Sequence, residues 1–531
     1  MSNLATVTDR KGQTTTYQYD VLDRPSVTTY HGGTTSSTYT FDAGDRLTQV
    51  VDTVSGTITR GYNGLDLLTS ETTPQGSVTY TYDNASRRAT MTVAGQTQIV
   101  YGFDDADRLQ TITQGGSQVT IGYDTASRRT TVSYPNGNNL VYGYNDANDL
   151  TSVTYKQGAT VLGDLTYSYD LAGRRTTIGG TFARANLPPA LTTTTYNANN
   201  QQTVFGTNTL NYDLNGNLNT VTDASGTSTY TWNVRNQLTG LSATGFSASF
   251  IYDAFGRRTG KTIQGTTTNF VYDGLNPVQE KNGATVTANL LTGLAIDEFF
   301  TRTDGAGVRS LLPDALGSTV ALGDNTGTPQ TQYTYEPFGF TSQTGVASTS
   351  SYRYTGREDD GSGLMYYRAR YYHPRLQRFI SEDPIGFSGG DVNLYAYVRN
   401  NPLLLRDPLG LAAGDIWDFW ANYYRARQIA DEELRKHRGH NDCDDAIRHA
   451  DWNRRMTEEL GYWYALAFGI GHEIEGLVQG QPLPEIRMDL HNNSVGRDSA
   501  GGPINQGNLQ TSPGSGFGLP YTAGAGSSYP Y

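Results

Sequence analysis

The sequence predicts a mainly β fold built from repeated hairpins, followed by a small mainly α domain. Three observations predict it: a composition rich in Tyr, Gly and Thr, an aromatic–Asp pair that recurs about every twenty residues, and an abrupt change to helical periodicity after residue 411. At 531 residues the chain exceeds what one ordinary core organises. Its 61 Gly, 37 Tyr and hydrophobic content of only 36% suit many short strands joined by glycine turns better than a helical enzyme.

The repeat is explicit. Tyr19-Asp20, Phe41-Asp42, Tyr62-Asn63, Tyr82-Asp83, Phe103-Asp104, Tyr123-Asp124, Tyr144-Asn145 and Tyr169-Asp170 follow one another at spacings of 22, 21, 20, 21, 20, 21 and 25. After a gap of 43 the series resumes at Tyr212-Asp213, Trp232-Asn233, Tyr252-Asp253 and Tyr272-Asp273, each 20 apart. Within a unit, as in YSYDLAGRRTTI, an alternating strand meets the pair, a small-residue turn, an Arg and a second strand, which reads as one hairpin per repeat. A lone hairpin cannot bury its face, so the units must stack into a continuous, coiling sheet. The Asp is expected to bond turn amides and the Tyr to pack along the sheet, a scaffold role rather than catalysis. Residues 180 to 205 break the rhythm and read as a loop or irregular repeat.

These units resemble the YD repeats of RHS proteins, of the insecticidal toxin-complex C subunits and of the teneurins, over roughly residues 5 to 411. The resemblance implies a hollow shell enclosing the polypeptide that follows it. From Tyr352 the chain resembles the RHS repeat-associated core, on Gly363-Leu364-Met365-Tyr366-Tyr367-Arg368-Ala369-Arg370-Tyr371-Tyr372, Arg378-Phe379, Asp383-Pro384-Ile385-Gly386, Asn393-Leu394-Tyr395, Asn401-Pro402 and Asp407-Pro408-Leu409-Gly410. That resemblance implies a segment that seals the shell and cuts the chain after Leu411 by an aspartyl-type reaction. Two close carboxylates suit such chemistry, because like charges push one pKa up and leave an acid beside a base. Asp383 and Asp407 are the candidates, with Arg378 supplying charge or orientation. Twenty residues separate Gly386 from Asp407, where about eighteen are expected, and a loop insertion could misplace the pair. The competing reading is that both Asp-Pro pairs only form turns.

After Leu411 the texture becomes helical. AAGDIWDFWANYYRARQIADEELRKHRG has apolar residues at helical spacing, acids near its start, and Lys436 and His437 before Gly439, and further helices fit 442 to 460 and 462 to 478. Five of the seven histidines (His437, His440, His449, His472 and His491) fall within 55 residues. On a helix Asp445, His449 and Asn453 share one face, and His472-Glu473 with Asp489, His491 and Asn492 could close over it. Two mechanisms suit the set. His449, His472, Asp489 and His491 could bind zinc or manganese to activate water, or His449 or His491 could act as a general base oriented by Asp445 or Asp489 without metal. A purely structural role in helix capping is the third possibility. No HExxH is present. DAIRHADWN, GHE and MDLHNN resemble a poorly characterised bacterial domain found behind RHS cores, which implies no particular reaction.

The expected organisation is a repeat shell over 1–350, a core over 351–411, a helical effector over 412–498 and a disordered Gly/Ser/Pro-rich tail over 499–531. The formal charge of −12 argues against broad nucleic-acid binding by the shell. Residues 412–531 carry 10 Lys+Arg against 16 Asp+Glu, which weighs lightly against a nuclease. No stretch of about 18 apolar residues and no charged-then-apolar leader is present. A single cysteine, Cys443, allows no internal disulfide. Met1 opens directly into repeat sequence, so the chain is expected to be a piece whose delivery module lies upstream. The expected function is a polymorphic toxin, secreted or surface-displayed by a specialised route. An immunity protein, a secretion system and the chain's own enclosed C-terminal domain are its partners. The effector is expected to hydrolyse a phosphodiester or lipid ester with a divalent metal. The alternative is a cell-surface adhesion protein with an inert tail.

Overall fold

The computed structural model describes residues 4–411 together with Ala450, Trp452 and Arg454, which are helical. The described chain is mainly β. Seventeen strands, from Thr6–Thr8 to Arg175–Gly179, form one antiparallel sheet, and sixteen, from Thr194–Tyr196 to Thr341–Gly345, form a second. Each strand pairs with its neighbours in sequence, so the sheets are pure meanders.

One unit shows why the aromatic–Asp pair recurs. Strand Gly76–Tyr82 turns into Arg88–Val93, and the ladder shifts register between Thr81 and Tyr82. In the turn, Asp83 Oδ1 accepts the amides of Ala85 (2.9 Å) and Arg87 (3.0 Å), while Oδ2 accepts Arg87 Nε at 2.7 Å. Ser86 takes the left-handed backbone (φ 61°), a place filled elsewhere by Asp, Asn or Gly, the residues that tolerate it best. Tyr82 Oη donates back to Leu68 O of the preceding unit at 2.7 Å, and Arg87 reaches forward to Asp107 and lies over the Phe103 ring, 4.6 Å from its centroid. The same backward stitch joins Tyr62 to Leu47, Tyr123 to Leu109 and Tyr272 to Arg258, with the Trp232 indole N–H serving for a hydroxyl. Asp closes its own turn, and Tyr and Arg tie it to the two neighbouring units.

The irregular stretch separates the sheets. Residues 180–193 cross to the second sheet, where Ala185 bridges Tyr335 and the Asn186 amide donates to Tyr335 O. Within that gap Tyr196-Asn197 makes a full turn of the repeat kind, with Asn197 Oδ1 accepting the amides of Asn199 and Gln201. Beyond Asp273 the same turn persists without its aromatic partner, as at Asp314, which caps Leu316 and Ser318 (both 2.8 Å), and at Asp324.

The two sheets lie along each other as successive layers of a coil. One hydrophobic core runs through both, joining Val78, Met91, Ile112 and Leu140 to Val271, Phe300, Leu312 and Ala321. Three of the ion pairs that cross the layers do so at nearly constant separation, Arg235 to Asp52, Arg257 to Glu71 and Arg88 to Asp273, which lie 183, 186 and 185 residues apart.

Residues 352–411 form a compact unit against the second sheet. Its small sheet of four strands, Glu358–Asp359, Met365–Tyr367, Arg370–His373 and Arg378–Phe379, packs on a buried aromatic cluster of Tyr354, Tyr367, Tyr372, Phe379 and Tyr397. The anchor to the shell is Arg258, fully buried, which bonds Asp360 and Glu358 while Lys261 Nζ reaches the same two carboxylates at 2.9 and 3.0 Å. Tyr366 covers the guanidinium at 4.2 Å.

Candidate functional site

The strand Arg370–His373 carries the residue around which the site is built. Arg370 is held on three sides: its guanidinium lies 3.6 Å from the Phe379 ring centroid, NH1 donates to Leu394 O at 3.0 Å, and Nε donates to Gly410 O. Its NH2 then reaches Asp383 Oδ2 at 3.0 Å and Asp407 Oδ2 at 3.5 Å. Asp383 and Asp407 thus share one cation, with side chains 7% and 2% exposed. The longer spacing between the two Asp-Pro pairs does not separate them; the intervening chain turns through Gly386–Gly389 and Val398–Asn400.

The two carboxylates differ in what they bind. Asp407 Oδ1 accepts the amides of Leu409 (3.3 Å) and Leu411 (3.0 Å), so it folds the last described residues around itself. Asp383 Oδ1 accepts the Ile385 amide at 3.0 Å. Burial pushes the Asp383 carboxyl up to about 7; Arg370 and the Ile385 amide oppose the shift, and the Asp407 charge adds to it. The Leu411 carbonyl oxygen and Asp383 Oδ2 both abut the Cα of Gly389: a Cβ built there would stand 2.6 Å from the one and 2.8 Å from the other.

The segment 407–411 is gripped along its length. Pro408 O accepts from Arg357 (3.1 Å) and from Arg368, and Leu409 O accepts the Ala369 amide at 3.1 Å. Both arginines also pair with Asp297 of the shell. A small polar cavity lined by Arg370, Asp383, Gly389, Asn393, Asp407 and Leu411 has about 20 Å³ open to water centres, space for roughly one molecule.

The cation between the carboxylates is Arg370, and Arg378 stands elsewhere. Arg378 pairs with His373 in the small sheet, bridges Ala396, and lies over the rings of Tyr196 and Tyr395 at 5.0 and 5.2 Å. Burial pulls its pKa below the ordinary arginine value. Residue spacing cannot separate these two arginines, since hairpin register decides which one faces the aspartates. The pattern Arg-Ala-Arg-Tyr-Tyr, with Arg370 opening a strand, is the only sequence signal that pointed to it.

The other candidate residues, Asp445, His449, Asn453, His472, Glu473, Asp489, His491 and Asn492, lie outside the described residues, and so does the tail. The three described positions inside the expected second helix are helical, with Ala450 and Trp452 buried. Among the described residues no cluster of three or more His, Cys, Asp or Glu could hold a metal, and no helix is long and apolar enough to cross a membrane.

A family profile described as Teneurin YD-shell matches residues 1–181 and 165–403. The chain belongs to the teneurin YD-shell family. A second profile, described as a domain of unknown function, DUF6973, matches residues 413–508. Toxin subunit YenC1 of Yersinia entomophaga is 43% identical over 104 residues, 19% of this chain and 11% of the relative. The tRNA nuclease WapA of Bacillus subtilis is 39% identical over 104 residues, covering 18% and 4%, and toxin protein Tse5 of Pseudomonas aeruginosa is 37% identical over 99 residues, covering 18% and 7%. These matches span 11% or less of the length of the relatives. The crystal structure of TcdB2-TccC3 superposes with a TM-score of 0.59 at 19% identity, over 76% of this chain and 27% of that one, which shows a common YD-shell fold.

Proposed function

We propose that this chain is the shell and self-cleavage part of an RHS-type toxin, and that the cut falls between Leu411 and Ala412. One observation carries the reading: two buried aspartates share the Arg370 guanidinium, with the Leu411 amide on Asp407 and with both the Leu411 carbonyl oxygen and Asp383 Oδ2 against Gly389. A carboxyl with a pKa of about 7 is about half protonated at neutral pH and is suited to act as an acid, while Asp407, on the same arginine, is placed to act as the base.

The steps balance as a hydrolysis. A water in the small cavity loses a proton to Asp407 as its oxygen attacks the Leu411 carbonyl carbon, and Asp383 donates its proton to the carbonyl oxygen. Collapse of the tetrahedral species breaks the Leu411–Ala412 C–N bond. The proton on Asp407 passes to the departing amine, and Asp383 recovers its own from the carbonyl hydroxyl. The shell encloses the released 412–531 segment until a delivery system, guided by further parts of a longer protein, exports it, and an immunity protein protects the producer. The relatives named as a toxin subunit and a toxin protein favour this reading over an adhesion protein.

For the released segment we keep metal-assisted hydrolysis of a phosphodiester or lipid ester, through His449, His472, Asp489 and His491 with zinc or manganese. Its support is the histidine clustering in sequence.

The test is the mass of the purified chain after timed expression. Fragments ending at Leu411 and beginning at Ala412, absent in Asp383→Asn and Asp407→Asn, are the expected result. Identical fragments from parent and both variants would overturn the assignment. Growth of a bacterial host expressing the full chain, compared with His449→Ala and His491→Ala versions, tests the effector: arrest that both substitutions relieve is expected, and arrest that neither relieves rules those histidines out.

A further inference from the structure

Three glycines shape the turn beside the aspartates, and they are glycine for different reasons. Gly386 (φ 61°) and Gly390 (φ 79°) stand in the left-handed region, where a side chain is strained. Gly389 does not, so its backbone conformation would admit any residue. What excludes a side chain there is space. A Cβ would lie 2.6 Å from the Leu411 carbonyl oxygen and 2.8 Å from Asp383 Oδ2, closer than real Cβ contacts come.

Neither neighbour is able to move aside without loss. The Leu411 carbonyl belongs to a segment tied by its own amide to Asp407, by Gly410 O to Arg370 and by Pro408 O to Arg357. Asp383 is fixed by Arg370 and by the Ile385 amide. The bare Cα of Gly389 is therefore the wall against which both the carbonyl to be attacked and the Asp383 carboxyl rest.

We propose that Gly389 is a positioning residue of the self-cleavage site, and that seating of the Gly386–Gly389 turn against Leu411 gates the cut. This rests on the cleavage reading above. A misplacement of about 1 Å costs on the order of 10²-fold in rate when reacting groups must be aligned, and a methyl at this position imposes a shift of that size.

The experiment uses the full chain with Gly389→Ala, Gly389→Ser and Gly389→Val, beside Ser388→Ala as an exposed control in the same turn. The uncut fraction is followed by intact mass during timed expression, with the melting temperature and the pH profile of residual cleavage. Cleavage is expected to slow about 10²-fold in the Ala variant and to vanish in the Val variant. The control should keep the parent rate, and melting temperatures should stay close to the parent. The residual Ala activity is expected to extend to higher pH, because the added methyl desolvates Asp383 further. Parental rates in Gly389→Ala, with Asp383→Asn and Asp407→Asn uncut, would overturn the role of Gly389 and leave the cleavage reading standing. Rates that fall only in step with melting temperature would reduce Gly389 to packing and equally overturn it. Parental cleavage in the two Asp variants would remove the reading on which it rests.

Discussion

The turns of the repeats and the site in the core are made from the same two residue types, aspartate and arginine, with opposite results. At Asp42 one carboxylate meets one arginine and two backbone amides at an open surface. The Arg46 hydrogen bond, reinforced by the amides of Arg46 and Gly44, holds its pKa below the ordinary value. In the core two carboxylates share one arginine beneath the surface, and burial drives Asp383 up to about 7. An Asp–Arg pair is a cap when donors are plentiful and becomes an acid when buried carboxylates outnumber them.

The largest effect should come from breaking the core pair. Asp383→Asn or Asp407→Asn is expected to slow cleavage by about 10²–10⁴-fold, the usual contribution of a positioned acid or base, as read by intact mass. Arg258→Ala comes next. It strips the buried Asp360 and Glu358 of their main partner and should cost about 3–5 kcal/mol in denaturant unfolding, whereas an exposed turn arginine should not approach that figure.

The pH response separates the two environments directly. A carboxyl whose folded pKa stands above its unfolded value brings stability that is complete below about pH 4 and is withdrawn as pH rises through about 7; for Asp383 the general acid disappears over that same upper range. Cleavage should therefore fall as pH rises through about 7. A rate that instead climbs across that range would show that Asp383 does not supply the proton. The turn aspartates have lowered values, so their contribution is present at neutral pH and is lost only in acid. Last, Asp83→Ala removes two amide hydrogen bonds and one arginine contact at a single turn and should cost about 1 kcal/mol in thermal unfolding, with cleavage unchanged.

Much of the sheet was legible because its repeat depends on side chains that cannot be exchanged freely. The Asp must reach amides two and four residues ahead, and the tyrosine must reach the preceding unit. Where the backbone makes the turn but the stitch is gone, as at Asp314 and Asp324, or where Asn197 stands off the common spacing, the sequence pattern fades while the hairpin remains. The aspartate pair was legible from its Asp-Pro pairs. Arg370 was not singled out, because two arginines eight residues apart on adjoining strands can be told apart only by register. Gly389 left no signal either, since its requirement is a contact with Leu411, twenty-two residues away in the chain.

The cross-layer ion pairs near a separation of 185 residues carry a consequence for how such chains change length over generations. Losing a single unit of about twenty residues between Arg88 and Arg235 would set all three of these pairs one tooth out of mesh, as in a mis-threaded screw. Growth or loss in whole turns of nearly nine units would keep the three pairs in mesh. The stretch between the sheets, residues 180–193, is the place where a partial unit can be absorbed without stripping the thread.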